Sequence, residues 1–424
     1  MDTYKFDPAI FIKPPYFKCP KCKKEGYGIL MVRSDSYLRR CKYCFYPKGH
    51  EEADVYDLPL LKKKIIYLDQ FAISEMAKVK DDSKGREKWA SLHNILDSMV
   101  LNQLIVCPDS RYHEEETELF RSLRKEIKDF YVQMSRGVTF KTSHSIEVHQ
   151  ISQALKKFVG EDDNQQHLFP WEDAFNGNPS SWHDHYHIRV NKRLDETEVE
   201  KRRIQKEKYA ETMSKHLEGL PDRESFDFDN EVKIWNNATA DSILILYDRY
   251  VKEQIAMTLG LKPFDPSLYL YAPTVVDIAE YVISFFKRRG IESREDLISK
   301  VQEFFYSEFF DKVPYVNISS LFSAGISRKY VFGSRKGTNV GSYYDKQIVS
   351  HLLPYCCAMF IDNEARSILS ERPVDIENKY NINLFSLSNL DDFLFFLKNI
   401  NDSADSNIKA NVAAVYGQWH EVKL

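Results

Sequence analysis

Four cysteines near the N-terminus have the spacing of a metal site. Cys19 and Cys22 form one C-x-x-C pair, Cys41 and Cys44 form a second, and 18 residues separate the two pairs. Each pair can place two thiolates on one ion, so two pairs complete a tetrahedral four-thiolate site. We predict a structural zinc ion, because four cysteine ligands leave no coordination position open for catalysis. Iron is the alternative metal, since thiolates suit both.

Two acidic residues each follow a short apolar segment. Asp69 ends the run 65–68, and Asp362 ends the run 356–361. Runs of this length and composition are typical of buried strands. In an open parallel sheet, ligands bind at the carboxyl ends of the strands. Two acids at that edge repel each other unless a cation lies between them, so the pair indicates a candidate metal site.

Two further acids lie on predicted helices that lead to the same edge. Glu116 is two turns into the helix after the second apolar run, and Asp345 is near the start of the helix before the third. Together with Asp69 and Asp362 they offer carboxylate oxygens, which suit Mg²⁺ or Mn²⁺ better than zinc. The alternative for a single Asp at a strand end is a helix cap or a turn residue.

The predicted elements alternate between strands and helices. Apolar runs at 65–68, 104–108 and 356–361 and a last strand-and-helix segment at 383–400 are separated by helical patterns. This order predicts an α/β fold with a central parallel sheet covered on both faces. The long segment between the second and third runs is mostly helical and highly charged. Within it, the polar helix predicted over 191–218 is expected to project into solvent or face a partner.

Several segments resemble the PIN-like family of metal-dependent nuclease domains. IIYLDQFAISEMAK resembles the opening strand of such domains, whose first metal-binding Asp corresponds to Asp69. PDSRYHEEE resembles the second segment, in the pattern Ser110, His113 and Glu116, with Glu114 and Glu115 as alternatives to Glu116.

The C-terminal part of the chain carries the rest of the resemblance. YYDKQIVSHLLPYCCAMFIDNEARSIL resembles the later block of the family, in which one Asp opens a helix and another ends the following strand, here Asp345 and Asp362. NLFSLSNLDDFLFFL resembles the last strand and helix. The resemblance implies a three-layer α/β/α domain. It also implies a nuclease in which these two residues, with Asp69 and Glu116, hold catalytic Mg²⁺ or Mn²⁺ and hydrolyse phosphodiester bonds, by preference in RNA and otherwise in single-stranded DNA.

The resemblance divides the chain into a zinc ribbon, a linker, and a PIN-like domain that is interrupted by a large helical insertion. The expected ranges are 1–50 for the ribbon, 51–63 for the linker, 64–136 and 331–424 for the two parts of the domain, and 137–330 for the insertion. The insertion is expected to offer a surface for a protein partner or a second copy of the chain. The alternative function is a non-catalytic scaffold that uses the same fold to bind nucleic acid or protein.

Charge and side-chain types indicate where a nucleic acid would bind. Residues 1–64 carry 14 Lys and Arg against 8 Asp and Glu, although the whole chain has a formal charge of -4. Basic and aromatic residues alternate around the cysteines and suit phosphates and bases; the alternative for the aromatic residues is a small core. Arg335 and Lys336, in a Gly-rich loop before Asp345, are predicted to hold a substrate phosphate.

Two other features bear on location and on metal binding. The chain has no run of about 18 apolar residues and no signal-peptide pattern, so we expect a cytoplasmic protein that does not enter a membrane. His183, His185 and His187 alternate in a polar loop. They are predicted to form a pH-sensitive surface patch in preference to a metal site.

Overall fold

The strands form two four-stranded sheets and a short hairpin-like pair. The computed structural model describes residues 7–47, 55–78, 87–119, 124–162, 169–185, 196–263, 274–334 and 341–422. The strands, in chain order, are β1 (Lys13–Lys18), β2 (Glu25–Val32), β3 (Ser36–Cys41), β4 (Val55–Asp57), β5 (Lys64–Leu68), β6 (Ile105–Val106), β7 (Thr139–Phe140), β8 (Phe175–Asn176), β9 (Ala358–Phe360) and β10 (Asn383–Phe385).

Helices make up most of the remaining described chain. In chain order they are α1 (Gln70–Ala77), α2 (Glu87–Leu101), α3 (Arg111–Leu119), α4 (Arg124–Ser135), α5 (Ser143–Phe158), α6 (Trp171–Ala174), α7 (Glu196–Glu218), α8 (Phe228–Thr258), α9 (Thr274–Lys287), α10 (Arg294–Phe305), α11 (Glu308–Asp311), α12 (Pro314–Val331), α13 (Gly341–Leu352), α14 (Asn363–Ser370), α15 (Ile376–Tyr380), α16 (Leu390–Asp402) and α17 (Ser406–Tyr416). None of these helices is both long and apolar enough to cross a bilayer.

The second sheet combines strands from before and after the long helical segment. Its strand order is β10-β9-β5-β6, and every pairing in it is parallel. In register, Leu68 lies opposite Phe360, and Phe360 lies opposite Phe385. The strands before and after the long helical segment therefore pair directly. The predicted mixed α/β class with a parallel sheet is confirmed.

Side chains alternate across this sheet and fill a core on each face. On β5, Ile66 and Leu68 pack with α1, α2, α4 and α16, whereas Tyr67 packs on the other side with α12, α13 and α14. The same two-residue period places Phe360 in the first core and Met359 in the second. Because both faces are covered, the strands consist of continuous apolar runs, which is the pattern read from the sequence.

The long helical segment has its own core and shares one helix with the sheet. Helices α5, α8, α9, α10 and α11 enclose an aromatic cluster that includes Phe286 and Phe304. The first turn of α12 packs there through Val316, and the rest of α12 packs on the sheet through Ile318 and Phe322. The helical segment therefore lies against the sheet over the length of α12.

Helix α7 is packed against the body over its C-terminal half. Met213 and Leu217 are completely or almost completely buried in the sheet core, and the helix contacts α13. The prediction that 191–218 projects into solvent is therefore wrong for this half. Its apolar positions are too few to give a periodic signal among the charged residues around them.

The N-terminal sheet is antiparallel, in the order β1-β2-β3-β4, and it docks on the C-terminal helix. Ile29 and Tyr37 of this sheet pack with Trp182 and with Val412 and Val415 of α17. Strand β4 comes from the segment expected to be a linker. The ribbon is therefore fixed to the body by an apolar contact.

One of the three alternating histidines is part of this junction. His183 is buried, and its Nε2 lies 2.7 Å from the Nζ of Lys63, which also donates to the carbonyl oxygen of Ser181 at 2.6 Å. The prediction of a surface patch is wrong for His183. His187 lies outside the described residues.

Candidate active site

Asp69 and Asp362 lie at the carboxyl edge of the parallel sheet and each begins a helix. Asp69 follows β5 directly and caps α1, accepting from the backbone N–H of Gln70 at 2.8 Å. Asp362 follows β9 and caps α14, accepting from the N–H of Ala365 at 2.7 Å. The amide of Asp69 donates to the carbonyl of Phe360, which fixes the two strand ends side by side. Both carboxylates also benefit from the positive end of a helix.

Asp345 and Glu116 reach the same site from α13 and α3. Burial raises the pKa of Asp345 well above its ordinary range, and repulsion from Asp362, Asp69 and Glu116 raises it further. Repulsion of this kind requires proximity, because solvent screens charges that are far apart. The four acids predicted from the sequence therefore lie near one another, and each is only partly exposed.

Glu116 is the member of its acidic run that faces the site. Burial and repulsion from Asp69 raise its pKa to about 8, and its Oε2 is buried without a hydrogen-bond partner in the described part of the chain. Glu115 instead pairs with the Nε of Arg111 at 3.0 Å, and Glu114 is exposed. A buried carboxylate oxygen without a partner is costly, so Glu116 is suited to a cation that would satisfy it.

His113 supports the strand end from below the site. Its ring stacks between Tyr67 and Tyr131, at centroid distances of 4.8 and 4.6 Å. Its Nε2 lies 2.8 Å from the carbonyl oxygen of Leu68, and its Nδ1 lies 3.3 Å from Asp109. The imidazole also lowers the pKa of the neighbouring Asp69, although burial and Asp362 outweigh it and the pKa rises to about 6. His113 therefore positions the backbone that carries Asp69.

Two further charged residues lie near the acids and were not predicted from the sequence. Lys206 of α7 lies near Glu115, Glu116 and Asp345, whose charges oppose the lowering of its pKa by burial. Its Nζ is 3.5 Å from the ring centre of Tyr344. Glu364, in the first turn of α14, contributes to the raised pKa of Asp345. Lys206 could not be found from sequence, because it belongs to the helix that was expected to be solvated.

The donor atoms near the strand ends are carboxylate oxygens, the type of ligand that a hard divalent cation takes. All four acids supply oxygen atoms, their mutual repulsion raises their affinity for positive charge, and Glu116 has an unpaired buried oxygen. The four carboxylates do not form a group whose ligand atoms all lie within 4.8 Å. In the described residues only the four cysteines meet that criterion.

The four cysteines form the site predicted for them. The Sγ atoms of Cys19 and Cys44 are 3.6 Å apart, as are those of Cys22 and Cys41. A tetrahedral zinc site with Zn–S bonds of about 2.3 Å has sulfur atoms about 3.8 Å apart, so this geometry could hold a zinc ion.

Both cysteine pairs adopt the same turn. The residue after each pair, Lys23 or Phe45, has a positive φ, and its N–H donates to the carbonyl of the first cysteine. Burial disfavours ionisation of Cys19, but amide hydrogen bonds from Cys22 and Lys21 outweigh it and lower the pKa of its thiol to about 7. At Cys19 the turn therefore favours the thiolate, which is the form that binds metal, whereas burial and the neighbouring thiols raise the pKa of Cys44 to about 12.

The basic and aromatic residues around the cysteines divide into a core and a surface. Tyr27 and Tyr37 are buried, and Arg39 is only 5% exposed because its guanidinium donates to the carbonyl of Ala414 at 2.8 Å. These residues therefore hold the ribbon together and attach it to α17. The exposed basic and aromatic residues are Tyr16, Phe17, Lys18, Lys21, Lys23, Lys24 and Tyr43.

No protein-family model, curated protein or solved structure matches this chain. Arg335 and Lys336, predicted to hold a substrate phosphate, lie outside the described residues. The assignment of the site therefore depends on its own chemistry.

The raised pKa values predict that metal-free protein loses stability as the pH rises. Asp69 and Glu116 have folded-state pKa values of about 6 and 8, above the ordinary 3.8 and 4.5, so the folded state holds more protons than the unfolded state between pH 4 and 8. We expect the melting temperature to fall across this range and to recover at pH 8 when Mg²⁺ or Mn²⁺ is added. Differential scanning fluorimetry measures both. In Glu116→Gln the melting temperature should depend less on pH and should rise less when metal is added. A melting temperature with the same pH and metal dependence as the unsubstituted protein would contradict the assignment of Glu116 to this site.

Proposed function

We propose that the protein is a metal-dependent nuclease that hydrolyses phosphodiester bonds of RNA or single-stranded DNA, with RNA favoured. The observation that carries the proposal is the placement of four half-buried acids, Asp69, Glu116, Asp345 and Asp362, near the carboxyl edge of a parallel sheet, two of them at neighbouring strand ends. Four half-buried acids at a ligand-binding edge have a high electrostatic cost unless a cation binds them.

We further propose that the body is a three-layer domain of the PIN-like kind. Two features support this fold. Two parallel strands that are far apart in sequence, β5 and β9, are neighbours and both end in an acid of the site. Helices also cover the sheet on both faces. On this interpretation α5 to α11 are an insertion between the two parts of the domain.

The side chains have distinct parts in the proposed reaction. Asp69 and Asp362 hold metal from strand ends that are fixed by capping hydrogen bonds, and Glu116 and Asp345 close the site from two helices. A bound Mg²⁺ or Mn²⁺ supplies Lewis-acid stabilisation of the charge that develops on phosphate oxygens. His113 and its aromatic neighbours keep the Asp69 backbone in place. No covalent intermediate with the protein is required, because phosphoryl transfer depends on positioning and electrostatics.

A chelator-reversal assay tests the function. The full-length protein is incubated with labelled single-stranded RNA or DNA, first with EDTA and then with an excess of Mn²⁺ or Mg²⁺. We expect cleavage only after the metal is restored, and faster cleavage of RNA. Binding of the same strands without cleavage under every metal condition would instead favour the non-catalytic scaffold.

Lys206 is expected to bind the substrate phosphate next to the acids. Its ammonium lies among Glu115, Glu116 and Asp345 and is positioned over Tyr344. Lys206→Met should raise the KM for an oligonucleotide by about tenfold, the value of one charge-assisted contact, with a smaller change in kcat. Lys215→Met is the matched control: this lysine is on the same helix, 72% exposed, and away from the acids. Equal KM values for the two variants would contradict this role.

A further inference from the structure

A large cavity lies between the helical insertion and the sheet domain. Its volume is about 900 Å³, within the range of small-molecule sites. Helices α5, α7, α8 and α9 of the insertion line it together with α3, α12 and α13. The proposed catalytic acids do not line it.

Aromatic rings and a fixed histidine line the cavity. Tyr315 stacks on His351 with ring centres 5.8 Å apart and planes within 8°. The Nε2 of His351 lies 2.7 Å from Glu147, and its Nδ1 lies 2.7 Å from the carbonyl oxygen of Gln347 and 3.1 Å from the hydroxyl of Tyr112. Trp235 lines the cavity from α8. Flat, rigid aromatic surfaces of this kind suit a planar base, because every base has a face that can stack.

The polar groups of the cavity lining include a buried tyrosine hydroxyl and two lysines. Tyr315 is 8% exposed, and its hydroxyl has no hydrogen-bond partner among the residues that the structure describes. Burial raises the pKa of Tyr315 well above its ordinary range, so the hydroxyl keeps its proton and can donate. Lys208 and Lys346 also line the cavity, and neither has an ion-pair partner in the described chain. Burial lowers the pKa of Lys346 to about 8, and its Nζ lies 4.3 Å from the ring centre of Tyr209. The two lysines supply the positive charge that suits a phosphate.

The cavity adjoins the acids through shared elements. Tyr344 and Lys346 line it and flank Asp345 on α13. The ring of Tyr344 is also in contact with Lys206, which lies among the acids. The cavity and the proposed acid site therefore share α13, on which Tyr344 and Lys346 are the sequence neighbours of Asp345.

We infer that this cavity binds one nucleotide unit, with the base against the aromatic rings and the phosphate on Lys208 and Lys346. The inference rests on the proposed nuclease function, because it takes the bound unit to be part of the substrate strand. The unit would be the nucleotide next to the one at which the strand is cleaved. A free nucleoside monophosphate has the same chemistry and is the other source. The inference gives the helical insertion a direct part in substrate binding.

Binding measured without cleavage tests the inference. The probes are a fluorescein-labelled eight-nucleotide single-stranded RNA and the four nucleoside monophosphates, with the full chain and no added divalent metal. We expect Tyr315→Phe to raise the Kd of the RNA about three- to tenfold, the effect of one lost hydrogen bond, and Lys346→Met to raise it about tenfold. The Kd of ribose 5-phosphate, which has no base, should exceed those of the monophosphates at least tenfold.

Tyr281→Phe is the control for a tyrosine outside the cavity. Its hydroxyl donates to Ser152 at 2.8 Å, so its loss should lower the melting temperature slightly and leave the Kd unchanged. Tyr315→Phe should not lower the melting temperature, because its hydroxyl has no partner to lose among the described residues. This comparison separates an effect on binding from an effect on folding.

The outcomes separate the two sources and the two hypotheses. Monophosphates that compete with the RNA, with both affinities reduced in Tyr315→Phe, support the strand as the source. If monophosphates bind in the cavity without displacing the RNA, the ligand is a free nucleotide, and the proposal that the substrate strand supplies it is overturned. Unchanged Kd values in both Tyr315→Phe and Lys346→Met overturn the inference altogether, even if the protein cleaves RNA. Binding in the cavity without cleavage at any metal concentration would overturn the nuclease and leave the cavity site standing.

Discussion

Replacing Cys41 and Cys44 together by serine is expected to release one zinc ion per chain and to unfold the N-terminal sheet. The two residues supply half of a four-thiolate site, and each is about 3.6 Å from a thiol of the other pair. A segment this short buries too little apolar surface to fold without its metal, so metal binding supplies the folding free energy. Elemental analysis of the purified protein measures zinc, and amide hydrogen exchange in residues 25–41 measures the fold of the sheet.

Cys357→Ser is the matched control for this substitution. It also removes a thiol, but Cys357 is far from the four-cysteine cluster and should leave the zinc content at one per chain. The double variant should also expose Trp182, because the ribbon covers it together with Val412 and Val415. Full metal retention in the double variant, or a parent protein without zinc or iron, would contradict the site.

Local sequence patterns were sufficient to predict the strands of the parallel sheet and the cysteine site. The apolar run before Asp69 is four residues long in sequence, and the strand found there is Lys64–Leu68. A strand that is buried on both faces needs such a run, so its signal is strong. The cysteine spacing is equally local, because each pair must bind through one turn. Both features depend on residues that are close together along the chain.

Features that depend on packing between distant segments could not be predicted. Lys206 is a lysine in a strongly charged helix, and only the contact of α7 with α13 brings it to the acids. His183 lies in a polar loop, and it is buried because Lys63 and Tyr416 close over it. Arg39 is of a residue type that commonly lies on the surface and binds phosphate, but its guanidinium links the ribbon to α17. Residue type gave no information on these partners.

The choice among the three consecutive glutamates also required the helix geometry. Positions 114, 115 and 116 differ by about 100° around α3, so only one can face the strand ends. Arg111 lies one turn before Glu115 and pairs with it, which leaves Glu116 next to Asp69. The i,i+4 spacing of Arg111 and Glu115 was visible in the sequence and could have reduced the alternatives from three to two.

Asp69→Asn and Asp362→Asn are each expected to reduce Mn²⁺- or Mg²⁺-dependent cleavage of single-stranded RNA by at least about 100-fold. Each change removes one negative charge from the proposed metal site, and an amide oxygen is a weaker ligand for a hard cation. The fold should survive, because asparagine is as good a helix N-cap as aspartate and both residues cap helices. Gel assays of cleavage and melting curves of the metal-free variants measure the two effects.

Asp405→Asn is the control that separates catalysis from capping. Asp405 caps α17 by accepting from the N–H of Asn407 at 2.8 Å, as the two site residues do for their helices, but it is exposed. The Asp405→Asn variant should cleave RNA at the same rate as the unsubstituted protein. At pH 8 without metal, Asp69→Asn should melt at a higher temperature than the parent, because it relieves repulsion from Asp362. Cleavage at the parental rate by both site variants would exclude these acids from catalysis. Unfolding of both would show that the aspartates are structural caps, since the charge itself would then be needed for the fold.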